Sequence, residues 1–155
     1  MGQQQLLLVI LVTILVGIAT VVAINVFGTS AEQANRDAVR QDLLTGAAGA
    51  QAVWSRPAAL GGAGRDFQSF EDTDGNLTDE DALLLALNMP VICTGTDLAG
   101  VAVTECQNEN GTYSVSVSDA NSIVLTGTPA SSPDDDIVLT VTFTPTTRSW
   151  TTTFN

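Results

Sequence analysis

Histidine and lysine are both missing from this chain of 155 residues, whose five basic side chains are all arginines set against 17 acidic ones. Without histidine there is no side chain that titrates near neutrality unperturbed, and the commonest metal ligand is gone. Hydrolases built on serine, cysteine or zinc are thereby nearly excluded. An enzyme would have to work with carboxylates alone, and no pair of them stands at a spacing that singles it out. The expectation is a protein that is not an enzyme and carries no cofactor. No basic residue precedes Arg36, and the net charge is -12. Phosphate binding needs clustered cations, so nucleic acid and anionic headgroups are poor partners. Such a surface suits a salty or extracellular medium.

Charge of either sign is also missing from the first 31 positions, and there the chain carries its dominant feature. Leu6 to Phe27 reads LLLVILVTILVGIATVVAINVF, interrupted only by Thr13, Gly17, Thr20 and Asn25. About 20 apolar residues in a helix span a bilayer core. The alternative, a central helix buried by a globular core, asks too much of the mostly polar residues that follow. Met1 to Gln5 is a short polar cap without the basic residues of an ordinary secretory signal, and no small-residue cleavage site ends the apolar run. The start is then either native as written or what remains after a basic leader is removed.

Past Phe27 no proline intervenes, and helix formers continue to Ser55. Ala31, Ala34, Ala38, Val39, Leu43, Ala47, Ala50 and Trp54 recur at helical steps, with Glu32, Arg36, Arg40 and Gln41 largely off that stripe. Glu32 and Arg36 are spaced as a favourable ion pair. Pro57 ends the run. This predicts one helix from about Gln3 to Ser55, about 80 Å long. A membrane anchor and a separate short helix, parted at Gly28, would be the other arrangement.

The middle of the chain is irregular. Leu60 to Arg65 (LGGAGR) is a turn. Asp72 to Asp81 (DTDGNLTDED) invites a calcium reading, with Asp72, Asp74 and Asn76 at the first, third and fifth positions of a binding loop. Gly75 comes two residues early, however, and the twelfth position is Leu83 rather than glutamate. A short helix capped by Thr78 and Asp81, running through ALLLALN to Asn88 and Pro90, accounts for the stretch better. Cys93 and Cys106, the only cysteines, are expected to form one disulfide in an oxidising compartment. Val91 to Thr94 and Val101 to Cys106 read as short strands around TGTDLAG.

From Thr112 the period switches to two. Tyr113, Val115 and Val117 alternate with serines, Ile123 to Thr128 follows, Leu139, Val141 and Phe143 alternate with threonines, and Trp150 and Phe154 close the chain. Turns at Asp119 to Asn121, Pro129 to Asp136 and Pro145 to Thr147 make this a four-stranded antiparallel meander. Its apolar face needs cover, which the helical stripe from Val39 to Trp54 supplies. Asn76 and Asn110 lie in acceptor sequons for N-glycans.

The fold class is therefore α+β. Residues 1–29 form an apolar helix for membrane or filament core, 30–57 its amphipathic continuation, 58–110 a variable region with a short helix and disulfide, and 111–155 the sheet. This architecture resembles a type IV pilin, and the N-terminal segment is where the sequence itself carries the likeness. The resemblance implies a leader cut by a prepilin peptidase, anchoring in the inner membrane, then assembly by pilus machinery into an extracellular helical homopolymer serving adhesion, motility or surface attachment. The filament core would be Leu6, Leu7, Leu8, Val9, Ile10, Leu11, Ile14, Leu15, Gly17, Ile18, Val21, Val22 and Ile24, with Gly17 and Ala19 permitting close approach. With Met1 as the mature first residue, Gln5 stands where the family usually carries a glutamate that pairs with a neighbour's N-terminal amine, and it offers only a neutral hydrogen bond. With cleavage after Gly2, that place falls to Leu7. The family's frequent helix-breaking proline is absent. The other expectations are a minor pseudopilin of a secretion system, or a monomeric single-span module presenting a binding domain outside the membrane, with the 66–81 loop as a calcium or ligand site.

Overall fold

A computed structural model describes residues 2–70, 79–94 and 105–155. Helix α1 (Gly2–Ser55) is followed by 3₁₀ turns at Ala58–Leu60 and Phe67–Ser69, then helix α2 (Asp79–Ala86) and six strands. These are β1 (Ile92–Thr94), β2 (Glu105–Gln107), β3 (Gly111–Asp119), β4 (Ser122–Pro129), β5 (Ile137–Thr144) and β6 (Ser149–Phe154). The chain divides into two compact units, one ending at Ala34 and one spanning Asn35–Asn155.

The sheet corrects the four-strand expectation: it is a six-stranded antiparallel meander in the order β1-β2-β3-β4-β5-β6. The two extra strands are the short segments flanking TGTDLAG. Three residues each are too few to show an alternation, so their place in the sheet is set by pairing. Cys93 lies opposite Cys106, and Cys106 opposite Tyr113. The sheet thus begins at Ile92, not after residue 110.

In the second unit the residues of α1 from Val39 onward bury one face, Val39, Leu43, Ala47, Ala50 and Val53. They meet Tyr113, Val115, Ile123, Leu125, Ile137, Leu139 and Val141, the inward set of a two-residue alternation. Close approach depends on small residues. A Cβ on Gly127 would come within 2.6 Å of Val39 Cγ1, and one on Gly49 would come within 2.0 Å of the Leu87 carbonyl oxygen. Helix α2 contributes Leu83 and Leu84 to the core and the turn after it Leu87, with Asn88 in that turn adopting φ 57. The twelfth position of the calcium-like spacing, Leu83, is therefore a core residue; Asp72, Asp74, Asn76 and Thr78 lie outside the described residues.

The C-terminus of α1 is finished by the glycine-rich turn. Ala63, Gly64 and Arg65 donate their backbone N–H groups to the carbonyls of Val53, Arg56 and Trp54 at 2.9, 2.8 and 2.7 Å. The carbonyls of the last helical turn, which lack regular partners within the helix, are thereby satisfied. Arg36 pairs with Asp135 of the β4–β5 connection.

Candidate functional site

The described residues contain one helix long and apolar enough to cross a membrane, α1, and no residue of the qualifying stretch is buried. Its sequence-assigned core positions are all exposed: Leu6, Leu7, Leu8, Val9, Ile10, Leu11, Ile14, Leu15, Ile18, Val21, Val22 and Ile24, with Gly17 among them. Gln5 is exposed in the first turns, and Met1 lies outside the described residues. Leu6 to Phe27 rises about 33 Å, close to the thickness of a bilayer core. The three hydroxyls of this stretch and its end are satisfied within the helix. Thr13 donates to the Ile10 carbonyl at 2.8 Å, Thr20 to that of Val16 at 2.8 Å, and Thr29 to that of Val26 at 3.0 Å. An apolar environment therefore leaves none of these hydroxyls unpaired.

Cys93 and Cys106 form a disulfide, and no described cysteine is free. No group of three or more Cys, Asp or Glu among the described residues is placed to hold a metal ion. Asn76 lies outside the described residues. Asn110 is used structurally: its Nδ2, the atom a glycan would take, donates to Asp42 Oδ2 at 2.9 Å.

Asp42 is a residue the sequence reading passed over. It sits on the buried face of α1, and Oδ2 also accepts from Asn108 Nδ2 at 2.9 Å and from the Tyr113 hydroxyl at 2.6 Å. Asn35, two turns earlier, donates to the Asn110 carbonyl at 2.9 Å and accepts from the Ser131 hydroxyl at 2.8 Å. One face of α1 thus fastens the 108–110 turn and the loop after β4 to the helix. Burial, then the hydrogen bond to Asp42 and its negative charge, push the Tyr113 phenol well above its ordinary pKa. The folded state holds this proton more tightly than the unfolded chain does. The contribution to stability is complete below the unfolded value of about 10 and is lost as pH rises above it toward the folded value. Because Tyr113 is the only tyrosine, absorbance of phenolate near 295 nm should rise with unfolding rather than before it. A free titration centred near pH 10 in the folded chain would contradict this.

At the other end of the sheet an aromatic cluster joins α1 to β5 and β6. The ring centroid of Trp54 lies 4.2 Å from that of Phe143 and 5.6 Å from that of Trp150, with Phe143 and Trp150 5.2 Å apart. Trp54 Nε1 and the backbone N–H of Phe67 both donate to the Ala120 carbonyl, at 3.3 and 3.0 Å. Beside the cluster is a hollow of about 590 Å³ lined by Trp54, Arg65, Asn121, Phe143, Pro145 and Arg148. No sequence pattern hints at it, since its residues come from three separate turns, strand β5 and a helix end.

No family model, curated protein or solved structure was found to match this chain. Functional assignment therefore rests on these local features: an exposed apolar helix, a helix-to-sheet clamp at Asp42, and an aromatic hollow bearing two arginines.

Proposed function

We propose that this chain is the structural subunit of an extracellular, type IV pilus-like helical filament, held in the inner membrane before assembly and polymerised through its apolar N-terminal helix. The observation that carries this is the half-helix itself, apolar on every side, with its threonine hydroxyls satisfied internally. A monomer in water does not keep such a surface exposed. Lipid covers it, and so do identical helices, with every backbone group still bonded within its own helix. Identical copies meeting head to tail with a rotation that does not close generate a filament. The acidic units would then form the outer sheath. Processing by a prepilin peptidase and delivery by pilus assembly machinery follow from the family resemblance.

The second function, a single-span anchored module that stays monomeric and presents a binding domain, is favoured by the hollow beside Trp54. The two are separated by negative-stain microscopy of material sheared from cells producing this chain, with mass spectrometry of its N-terminal peptide. Thin filaments containing the chain are the expected result, and the peptide gives the processing point. Recovery only as membrane-embedded monomer would overturn the filament proposal in favour of the anchored module.

A further inference from the structure

We propose that the hollow beside Trp54 binds a carboxylate-bearing saccharide, such as a uronic acid residue of an acidic glycan. Its lining divides into two chemistries. Trp54, Phe143 and Pro145 supply apolar surface, and Arg65, Arg148 and Asn121 supply donors. Among the described residues no carboxylate lines it, in a chain with 17 acidic residues. The volume of about 590 Å³ falls in the range of small-ligand sites, roughly 300 to 1,000 Å³.

The arginines decide the ligand class. Two other arginines are already paired, Arg36 with Asp135 and Arg40 with Asp37. Arg65 and Arg148 have no carboxylate partner among the described residues, and both are exposed. A guanidinium presents a planar fork that matches a carboxylate through paired hydrogen bonds. The net charge of the domain repels anions at a distance, so recognition has to come from donors in direct contact. Aromatic and proline faces suit the C–H faces of a sugar ring, and the donors of Arg65, Arg148 and Asn121 exceed what one carboxylate takes. The surplus fits hydroxyl oxygens.

Backbone conformation points to the same place. Among the described residues three non-glycine residues have positive φ, and two of them are these arginines, Arg65 at 73° and Arg148 at 52°. That region disfavours side chains with a Cβ, and strain of this kind gathers at binding sites. Arg148 occupies the last position of the β5–β6 turn, where glycine would sit without strain. Fold alone does not account for arginine there.

The site is the same whether the chain polymerises or stays a single anchored copy, so its test is independent of filament formation. Trp54 and Trp150 are the only tryptophans, and both belong to the cluster. Emission from the full chain in detergent micelles therefore reports on this cluster, of which Trp54 lines the hollow. Titration with D-glucuronic acid should shift emission with a Kd on the order of 1 mM, the scale for a ligand of so few atoms. D-glucose should bind at least about tenfold more weakly, and Arg65→Gln and Arg148→Gln should each weaken glucuronate about tenfold, while Arg40→Gln changes nothing. Arg148→Gly should keep or raise the melting temperature yet lose glucuronate binding, which separates recognition from folding. Equal binding of glucose and glucuronate would overturn the proposal. So would tighter binding of benzoate, which would make this a site for planar aromatic acids, or unchanged binding in the folded Arg148→Gly protein.

Discussion

Asp42→Ala should lower the unfolding free energy of the 35–155 unit by about 3 kcal/mol, from the loss of three hydrogen bonds at roughly 1 kcal/mol each or slightly more where a donor stays buried. All three converge on one carboxylate oxygen, from Tyr113, Asn108 and Asn110. The Tyr113 hydroxyl is the costliest to abandon, because the residue is only 4 % exposed and water cannot readily replace the lost acceptor. For a domain of this size the change corresponds to a melting temperature lower by about 10 to 15 °C, measured by circular dichroism. The carboxylate also joins segments distant in sequence, so its loss frees the 108–110 turn from the helix. Tyr113→Phe in the Asp42→Ala background removes the orphaned hydroxyl and should recover about 1 kcal/mol or more. Strict additivity of the two changes, or a loss below about 1 kcal/mol for Asp42→Ala, would show that the clamp is incidental.

That clamp also marks the limit of what the sequence disclosed. Helical spacing located the buried stripe at Val39, Leu43, Ala47 and Ala50, and the two-residue period located the inward face of β3, β4 and β5. Both patterns follow from one buried face per element. Asp42 lies on the same buried face, yet periodicity counts only apolar residues, so a carboxylate there reads as an interruption. What makes it tolerable is a set of partners some 66 to 71 residues away, which no local window contains. Strands β1 and β2 were legible as short strands but not as members of the sheet, because only cross-strand pairing at Cys93 and Cys106 joins them to it. The hollow was illegible because Arg65, Asn121 and Arg148 come together only when the turns stack at one end of the sheet.

The two units divide the work by composition. In the acidic unit, polar side chains on α1 reach particular partners: Asn35 takes Asn110 and Ser131, Arg36 takes Asp135, and Asp42 takes Tyr113. In the apolar unit the hydroxyls of Thr13, Thr20 and Thr29 bond back to the same helix. A helix whose backbone and threonine hydroxyls are satisfied internally can exchange one apolar environment for another. That property is what a subunit passing from lipid into a filament core requires.

Val16→Asp and Gly17→Leu should separate those two environments. Val16 lies near the middle of the Leu6 to Phe27 stretch and is 56 % exposed. A carboxylate there costs about 3 kcal/mol at the centre of a bilayer, roughly a hundredfold in partition, and it is no better tolerated among apolar helices. Val16→Asp is therefore expected to weaken membrane partition about a hundredfold and to abolish filaments, without moving the melting temperature of the 35–155 unit. Gly17→Leu acts in only one of the two settings. A Cβ at this position meets nothing within 4 Å, so the larger side chain is accommodated by the isolated helix. Leucine improves partition into lipid. Between closely packed helices, however, it removes the small surface that lets backbones approach. Membrane fractionation should find Gly17→Leu retained at least as well as the parent chain, while microscopy of sheared material should find filaments reduced at least about tenfold, the effect of some 1.4 kcal/mol per contact. Filaments at parental abundance would mean that the helices do not pack through Gly17. Loss of membrane retention with Gly17→Leu would mean that the segment is not held by lipid at all.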